Sequence, residues 1–158
     1  LFANNLAHNG NKAQCQKHLP GASTGELIGG MCMSEPAVGT DVLGMQTSAK
    51  KDGDSYVING AKMWITNGAI SNTELGDIFL VYAKTGESSK SASLFLVEKG
   101  TPGFSLGQKI HDKLGMRAST TAELVFEDGK KTVIENGGGG RNGNKHPCIQ
   151  LVVYKSRM

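Results

Sequence analysis

Two stretches of this chain carry residue types suited to holding a flat, phosphate-bearing ligand. One is Met31-Cys32-Met33-Ser34-Glu35-Pro36-Ala37-Val38-Gly39-Thr40-Asp41. The other is Tyr56-Val57-Ile58-Asn59-Gly60-Ala61-Lys62-Met63-Trp64-Ile65-Thr66-Asn67-Gly68. In the first, a strand runs into Pro36, which lacks a backbone donor and so opens the sheet. Gly39 allows a ligand close to the backbone. Ser34 and Thr40 place hydroxyls on either side of the bend, and the N–H groups of the turn suit an anionic oxygen. In the second, strand alternation puts Trp64 and Thr66 on one face. There an indole can pack on an aromatic ring system while a hydroxyl bonds one of its heteroatoms. Blander readings fit the same residues: a plain strand-end turn for the first stretch, core packing of a lone tryptophan for the second. The glycines match neither a Walker loop nor G-x-G-x-x-G.

Other chemistries find less support. His8, His18, His111 and His146 do not cluster at ligand spacings and read as surface or incidental residues. Glu35, Asp41, Glu123, Glu127 and Asp128 form no evident acid–base pair, so no residue is assigned as catalytic. Cys15, Cys32 and Cys148 are odd in number, far apart and without a C-x-x-C pair. That spacing argues against a disulfide framework or a zinc site and fits a reducing compartment, cytosol or mitochondrial matrix. Lys113-Leu114-Gly115-Met116-Arg117-Ala118-Ser119 sets cations and hydroxyls near a turn. It reads either as an anion contact or as an exposed loop.

The elements that must position these residues are mostly strands. Leu1, Phe2, Leu6 and Ala7 have helical spacing. Asn11 to Leu19 has good helix formers, with Asn11 as N-cap and Pro20-Gly21 as the stop. From there the period changes. Glu26 to Ser34 is strand-like and Met45 to Lys51 alternates weakly. Ser55–Ile58 and Ala61–Thr66 flank Asn59-Gly60, a type I′ hairpin signal. Asp77–Lys84, Ser93–Val97, Phe104–Ile110 and Thr121–Phe126 complete the set. Strands joined by turn-rich links without helices predict an antiparallel barrel or sandwich, mainly β, with a short helical remnant at the N-terminus. The divisions fall at 1–19, the end of a helical domain; 20–128, a β-domain; and 129–158, a divergent tail. The tail's Asn136–Asn144 segment is glycine-rich and reads as flexible, and Ile149–Tyr154 suits one late strand.

At 158 residues the chain is one domain's worth, with a net charge of +3 and no basic run. That balance gives nucleic acid no footprint. The apolar runs are strand-sized, so no membrane span is expected. Leu1-Phe2-Ala3-Asn4-Asn5 has neither an initiator methionine nor the pattern of a signal peptide, and the chain reads as an internal piece of something longer.

Several unrelated motifs then occur in one order: Met33-Ser34-Glu35-Pro36 with Gly39-Thr40-Asp41; Asn59 to Gly68; Phe95-Leu96-Val97-Glu98; Lys113 to Ser119; and Glu123 to Asp128. This series resembles the middle β-domain of the acyl-CoA dehydrogenases, over roughly Leu1 to Asp128. Asn9 to Gln14, Val81 to Thr85, and Val97 to Ser105 make it most similar to the branch acting on isovaleryl-CoA, in leucine catabolism. The resemblance implies an FAD-dependent oxidoreductase that desaturates an acyl-CoA at its α,β bond. It implies that Met31, Cys32, Met33, Ser34, Gly39 and Thr40 run along the flavin and its pyrophosphate. Trp64, Ile65 and Thr66 would meet the other side of the ring. Thr40, Ser89 and Lys90 would approach the acyl-CoA. It further implies an electron-transfer flavoprotein as redox partner, a homotetrameric parent and the mitochondrial matrix. The family's catalytic glutamate lies on a C-terminal helical domain that this sequence lacks, so the resemblance implies a fragment without the base. Its residues 129–158 depart from the family pattern, as do Ala37-Val38. A non-catalytic module that binds a ligand or partner is the alternative.

Overall fold

Every residue from Ile78 to Val81 is buried, and so is every residue from Leu94 to Val97. A strand reads as a continuous apolar run when both its faces are covered, and here both are. The computed structural model describes residues 1–53, 55–87, 91–127, 132–135 and 149–153. In it, strand β4 (Ile78–Lys84) pairs antiparallel with β5 (Ala92–Glu98). Phe79, Val81, Phe95 and Val97 face one core with Ile58, Ile65, Phe104, Leu124 and Phe126. Ile78, Leu80, Leu94 and Leu96 face a second core, closed by Phe2 and Leu6.

Two helices cover that second face. Helix α1 spans Phe2–Asn9 and α2 spans Lys12–Thr24. Asn11 caps α2 as expected: its side chain accepts from the Gln14 N–H at 2.8 Å, and the Gln14 side chain accepts from the Asn11 N–H at 2.9 Å. The expected stop at Pro20-Gly21 is overturned. The helix runs through Pro20 and ends at Gly25, whose φ of 81° is the left-handed cap. Leu19 and Ala22, on either side of the proline, pack against the second core, so tertiary contact outweighs the donor lost at Pro20. No helix among the described residues is long and apolar enough to cross a membrane.

The remaining strands are β1 (Gly29–Cys32), β2 (Ser48–Asp52), β3 (Ser55–Thr66), β6 (Phe104–Lys109), β7 (Thr121–Phe126), β8 (Thr132–Glu135) and β9 (Ile149–Val153). They form a curled sheet in the order β1-β4-β5-β9-β8-β3-β7-β6, with β2 bridging β3 and β4. The fold is mainly β, as expected. Most ladders are antiparallel, but β1/β4, β2/β4 and β5/β9 run parallel. Within 129–158, the described residues are those of β8 and β9; the glycine-rich Asn136–Asn144 lies outside them.

The Asn59-Gly60 hairpin is also overturned. Strand β3 is continuous through it, and the reversal between β2 and β3 comes earlier, where Asp52 pairs with Ser55. Asn59 still pairs with Ser48 of β2, while Gly60 already pairs with Phe126 of β7. Glycine is needed there for a different reason. Its φ is 137°, and a Cβ would sit 2.7 Å from the Cα of Thr47.

Candidate functional site

The bend after β1 is a closed two-residue turn. The Glu35 N–H donates to Val38 O at 2.8 Å, and the Val38 N–H donates to Glu35 O at 3.2 Å. Pro36 and Ala37 occupy the tip, where a missing donor costs nothing. The Met63 N–H of β3 donates to Ser34 O at 3.0 Å and so ties the bend to the second stretch.

Strand β3 bulges where it meets β7. Lys62 is opposite Leu124 and Ile65 opposite Ala122, so three steps on β3 match two on β7. Trp64 takes the strained position, with φ at 65°. Plain alternation would put Lys62, Trp64 and Thr66 on one face. The extra residue breaks that parity: Lys62 and Ile65 go inward, Trp64 and Thr66 outward. The indole is 59% exposed, which excludes the core-packing reading of Trp64.

Between the two stretches lies a cleft of about 380 Å³. Met31, Met33 and Ser34 line it, as do Trp64, Ile65 and Thr66. Phe2, Gly29 and Gly30 are also in its lining. A Cβ at Gly29 would meet the Phe2 ring at 2.5 Å, so glycine there lets α1 close on β1. Not every candidate joins them. The Cys32 side chain is buried in the first core, and burial pushes its thiol far above the usual range despite the opposing Lys62 charge. Gly39 and Thr40 are exposed past the turn and are not part of the cleft lining. Ser89 and Lys90 lie outside the described residues.

Sequence reasoning missed the buried ion pair that joins the two stretches. Lys62 Nζ meets Glu35 Oε1 at 2.9 Å, with side chains 0% and 4% exposed. The ammonium also donates to Met33 O at 3.1 Å. Glu35 Oε2 accepts from the Gln46 N–H at 2.6 Å and Oε1 from the Thr47 N–H at 3.0 Å. Burial pushes the Glu35 carboxyl upward, but its bonds from Thr47, Gln46 and Lys62 outweigh that and hold it below the usual range. Burial lowers Lys62, and Glu35 partly offsets the shift. The only signal in the sequence was a glutamate in one stretch and a lysine in the other, each among residues that must be buried.

Two further features sit elsewhere. A smaller cleft, about 210 Å³, includes Lys109, Lys113, Arg117 and Ser119. Its cations are already engaged: Lys113 Nζ donates to Ser119 O and to Thr121 Oγ1, Arg117 Nε donates to Lys113 O at 2.8 Å, and Lys109 Nζ donates to Asn72 Oδ1 at 3.1 Å. His18, expected at the surface or incidental, is 2% exposed, with Nε2 3.5 Å from Glu98 Oε1. Among the described residues no group of three or more metal-ligating side chains assembles.

The larger cleft suits a planar aromatic ligand. Its volume falls in the roughly 300–1,000 Å³ range of ligand pockets. The exposed Trp64 and Thr66 and the half-buried Ser34 all line it. Residues 30–129 match the family model for the acyl-CoA dehydrogenase middle domain. Mitochondrial isovaleryl-CoA dehydrogenase of Pongo abelii is 49% identical over 134 residues, 82% of this chain and 30% of the relative. Mitochondrial 2-methylacyl-CoA dehydrogenase of Solanum tuberosum is 49% identical over 127 residues, 79% of this chain and 29% of the relative. Among solved structures, butyryl-CoA dehydrogenase of Megasphaera elsdenii aligns with a TM-score of 0.75 at 40% identity, covering 89% of this chain and 36% of that one. Glutaryl-CoA dehydrogenase of Mycobacterium smegmatis, solved in complex with FADH2, aligns at 0.71 and 38% identity, covering 82% and 31%. The chain thus spans about 30% of the length of the curated relatives it matches.

Proposed function

Because the chain belongs to the acyl-CoA dehydrogenase family through that family's middle domain, we propose that its larger cleft is one wall of an FAD site. The parent enzyme, on this reading, desaturates a short branched acyl-CoA such as isovaleryl-CoA. The observation that carries it is the convergence of Ser34 with Trp64 and Thr66 on one cleft. Trp64 supplies a face for the isoalloxazine, and Ser34 and Thr66 supply hydroxyls for its polar edge. When bound, the flavin supplies hydride acceptance, while the protein binds and orients it. Met31, Cys32 and Met33 contribute along the ring, the Cys32 position through its backbone, since the thiol faces the core. Gly39 and Thr40 extend the surface toward the pyrophosphate, and Thr40, Ser89 and Lys90 toward the CoA.

The reading carries the family's context with it: electron-transfer flavoprotein as electron acceptor, a tetrameric parent and the mitochondrial matrix. The strongest support for the compartment is that isovaleryl-CoA dehydrogenases from Pongo abelii, Arabidopsis thaliana and Oryza sativa bear the mitochondrial description. On this reading no residue is assigned as the α-proton base, and dye reduction by isovaleryl-CoA is expected to stay at background with the chain alone. It holds FAD weakly, since one wall is a partial site. FAD titrated to millimolar concentration is expected to quench Trp64 emission saturably. Ser34→Ala and Thr66→Val should each weaken that binding about tenfold, the worth of one hydrogen bond. Quenching that rises linearly without saturation would sink the reading.

A further inference from the structure

The buried ion pair adjoins both walls of the cleft: Glu35 follows the lining residues Met33 and Ser34, and Lys62 lies two residues before Trp64. From β3, Lys62 Nζ grips Met33 O and the Glu35 carboxylate, and the Met63 N–H grips Ser34 O. Residues 33, 34 and 35 are therefore all held by residues 62 and 63, directly before Trp64. Glu35 is fixed in turn by the amides of Gln46 and Thr47, at the entry to β2. Both charges are withdrawn from solvent, and the bulge lets Lys62 point inward while Trp64, two residues on, points outward.

We propose that Glu35 and Lys62 are positioning residues that set the separation of Ser34 from Trp64, and with it the width of the slot for an aromatic ring. The proposal rests on the flavin reading for its ligand, but its geometry is tested without one. A buried ion pair is weak evidence for stability, because apolar replacement of both partners is often neutral or stabilising. Its bonds to residues next to and within the cleft lining point instead to placement of those residues.

Trp64 is the only tryptophan in the chain, so its emission reports the slot in the absence of flavin. The test compares the parent with Lys62→Met, Glu35→Gln and the double variant Glu35→Leu/Lys62→Met. The double variant is expected to melt close to the parent, yet to show a shifted indole emission, altered acrylamide quenching and lumiflavin affinity at least tenfold weaker. A double variant that matches the parent in melting, emission and lumiflavin binding overturns the proposal. If the double variant does not fold, Glu35→Gln carries the test, since it keeps the shape and removes the charge. Studied at a temperature where circular dichroism shows it folded, it must shift the indole emission; unchanged emission overturns the proposal. If neither variant folds, the parent is titrated with acid while folded. The indole emission must then change together with the Glu35 carboxyl signal in carbon NMR, and independent changes overturn the proposal. Failure of the flavin reading looks different: lumiflavin then fails to bind even the parent, while the emission differences among variants stand.

Discussion

Gly60 and Thr47 pass so close that a Cβ on the glycine would lie 2.6 Å from the threonine Oγ1 and 2.7 Å from its Cα. The crossing falls where β3 leaves β2 for β7. Gly60→Ala would meet both a steric clash and a φ of 137°. A loss of about 3 kcal/mol is expected, or a melting midpoint roughly 10 °C lower. Calorimetry checks it. A midpoint within a degree of the parent would mean that the strands do not cross this tightly.

Cys32 is 0% exposed and its thiol is held protonated by burial. The thiolate is the reactive form. Iodoacetamide at neutral pH is therefore expected to leave Cys32 unmodified in the native chain and to label it after denaturation, read by peptide mass mapping. Fast native labelling would place the thiol outside the core.

Acid should act through Glu35. Its folded pKa lies below the ordinary value of 4.5, so the unfolded chain takes up the proton first as pH falls. The stabilisation is complete above about pH 4.5 and is lost as pH drops through the lower folded value. Protonation also leaves the Lys62 ammonium buried without its counter-charge, a loss on the order of 3–5 kcal/mol for a broken buried pair. Melting curves between pH 7 and pH 3 should fall more steeply for the parent than for Glu35→Leu/Lys62→Met. Equal slopes would remove Glu35 as the cause.

His18 gives a second window. Burial, and then the neighbouring Lys17, lower its pKa from 6.5, with Glu98 pulling the other way. The folded chain therefore resists the proton that the unfolded chain accepts. Stability is full above pH 6.5 and declines as pH falls from there toward the folded value. His18→Leu should flatten the dependence of melting on pH between 7.5 and 5.5. A variant that keeps the parent's slope would assign that slope to another group.

What could be read from sequence was what depends on near neighbours. The apolar run of Asp77–Lys84 announced a strand, and Asn11 announced a cap that Gln14 completes. The shared face of Trp64 and Thr66 was also legible, whereas its outward direction comes with the bulge. Asn59-Gly60 misled because one dipeptide serves two physical needs, a reversal or a close crossing, and only the position of Thr47 decides between them. Pro20 misled because contacts of Leu19 and Ala22 with a distant core outweighed a local penalty. The Glu35–Lys62 contact joins residues 27 positions apart, and no local pattern encodes such a meeting.

Strand β3 belongs to three ladders, with β2, β8 and β7. Those with β2 and β7 meet end to end on one continuous backbone, so strain released in one ladder is passed directly to the next. The domain should therefore lose its amide protection around Ile58 and around Ile65 in one concerted opening. The indole's wall then yields only when the whole sheet does.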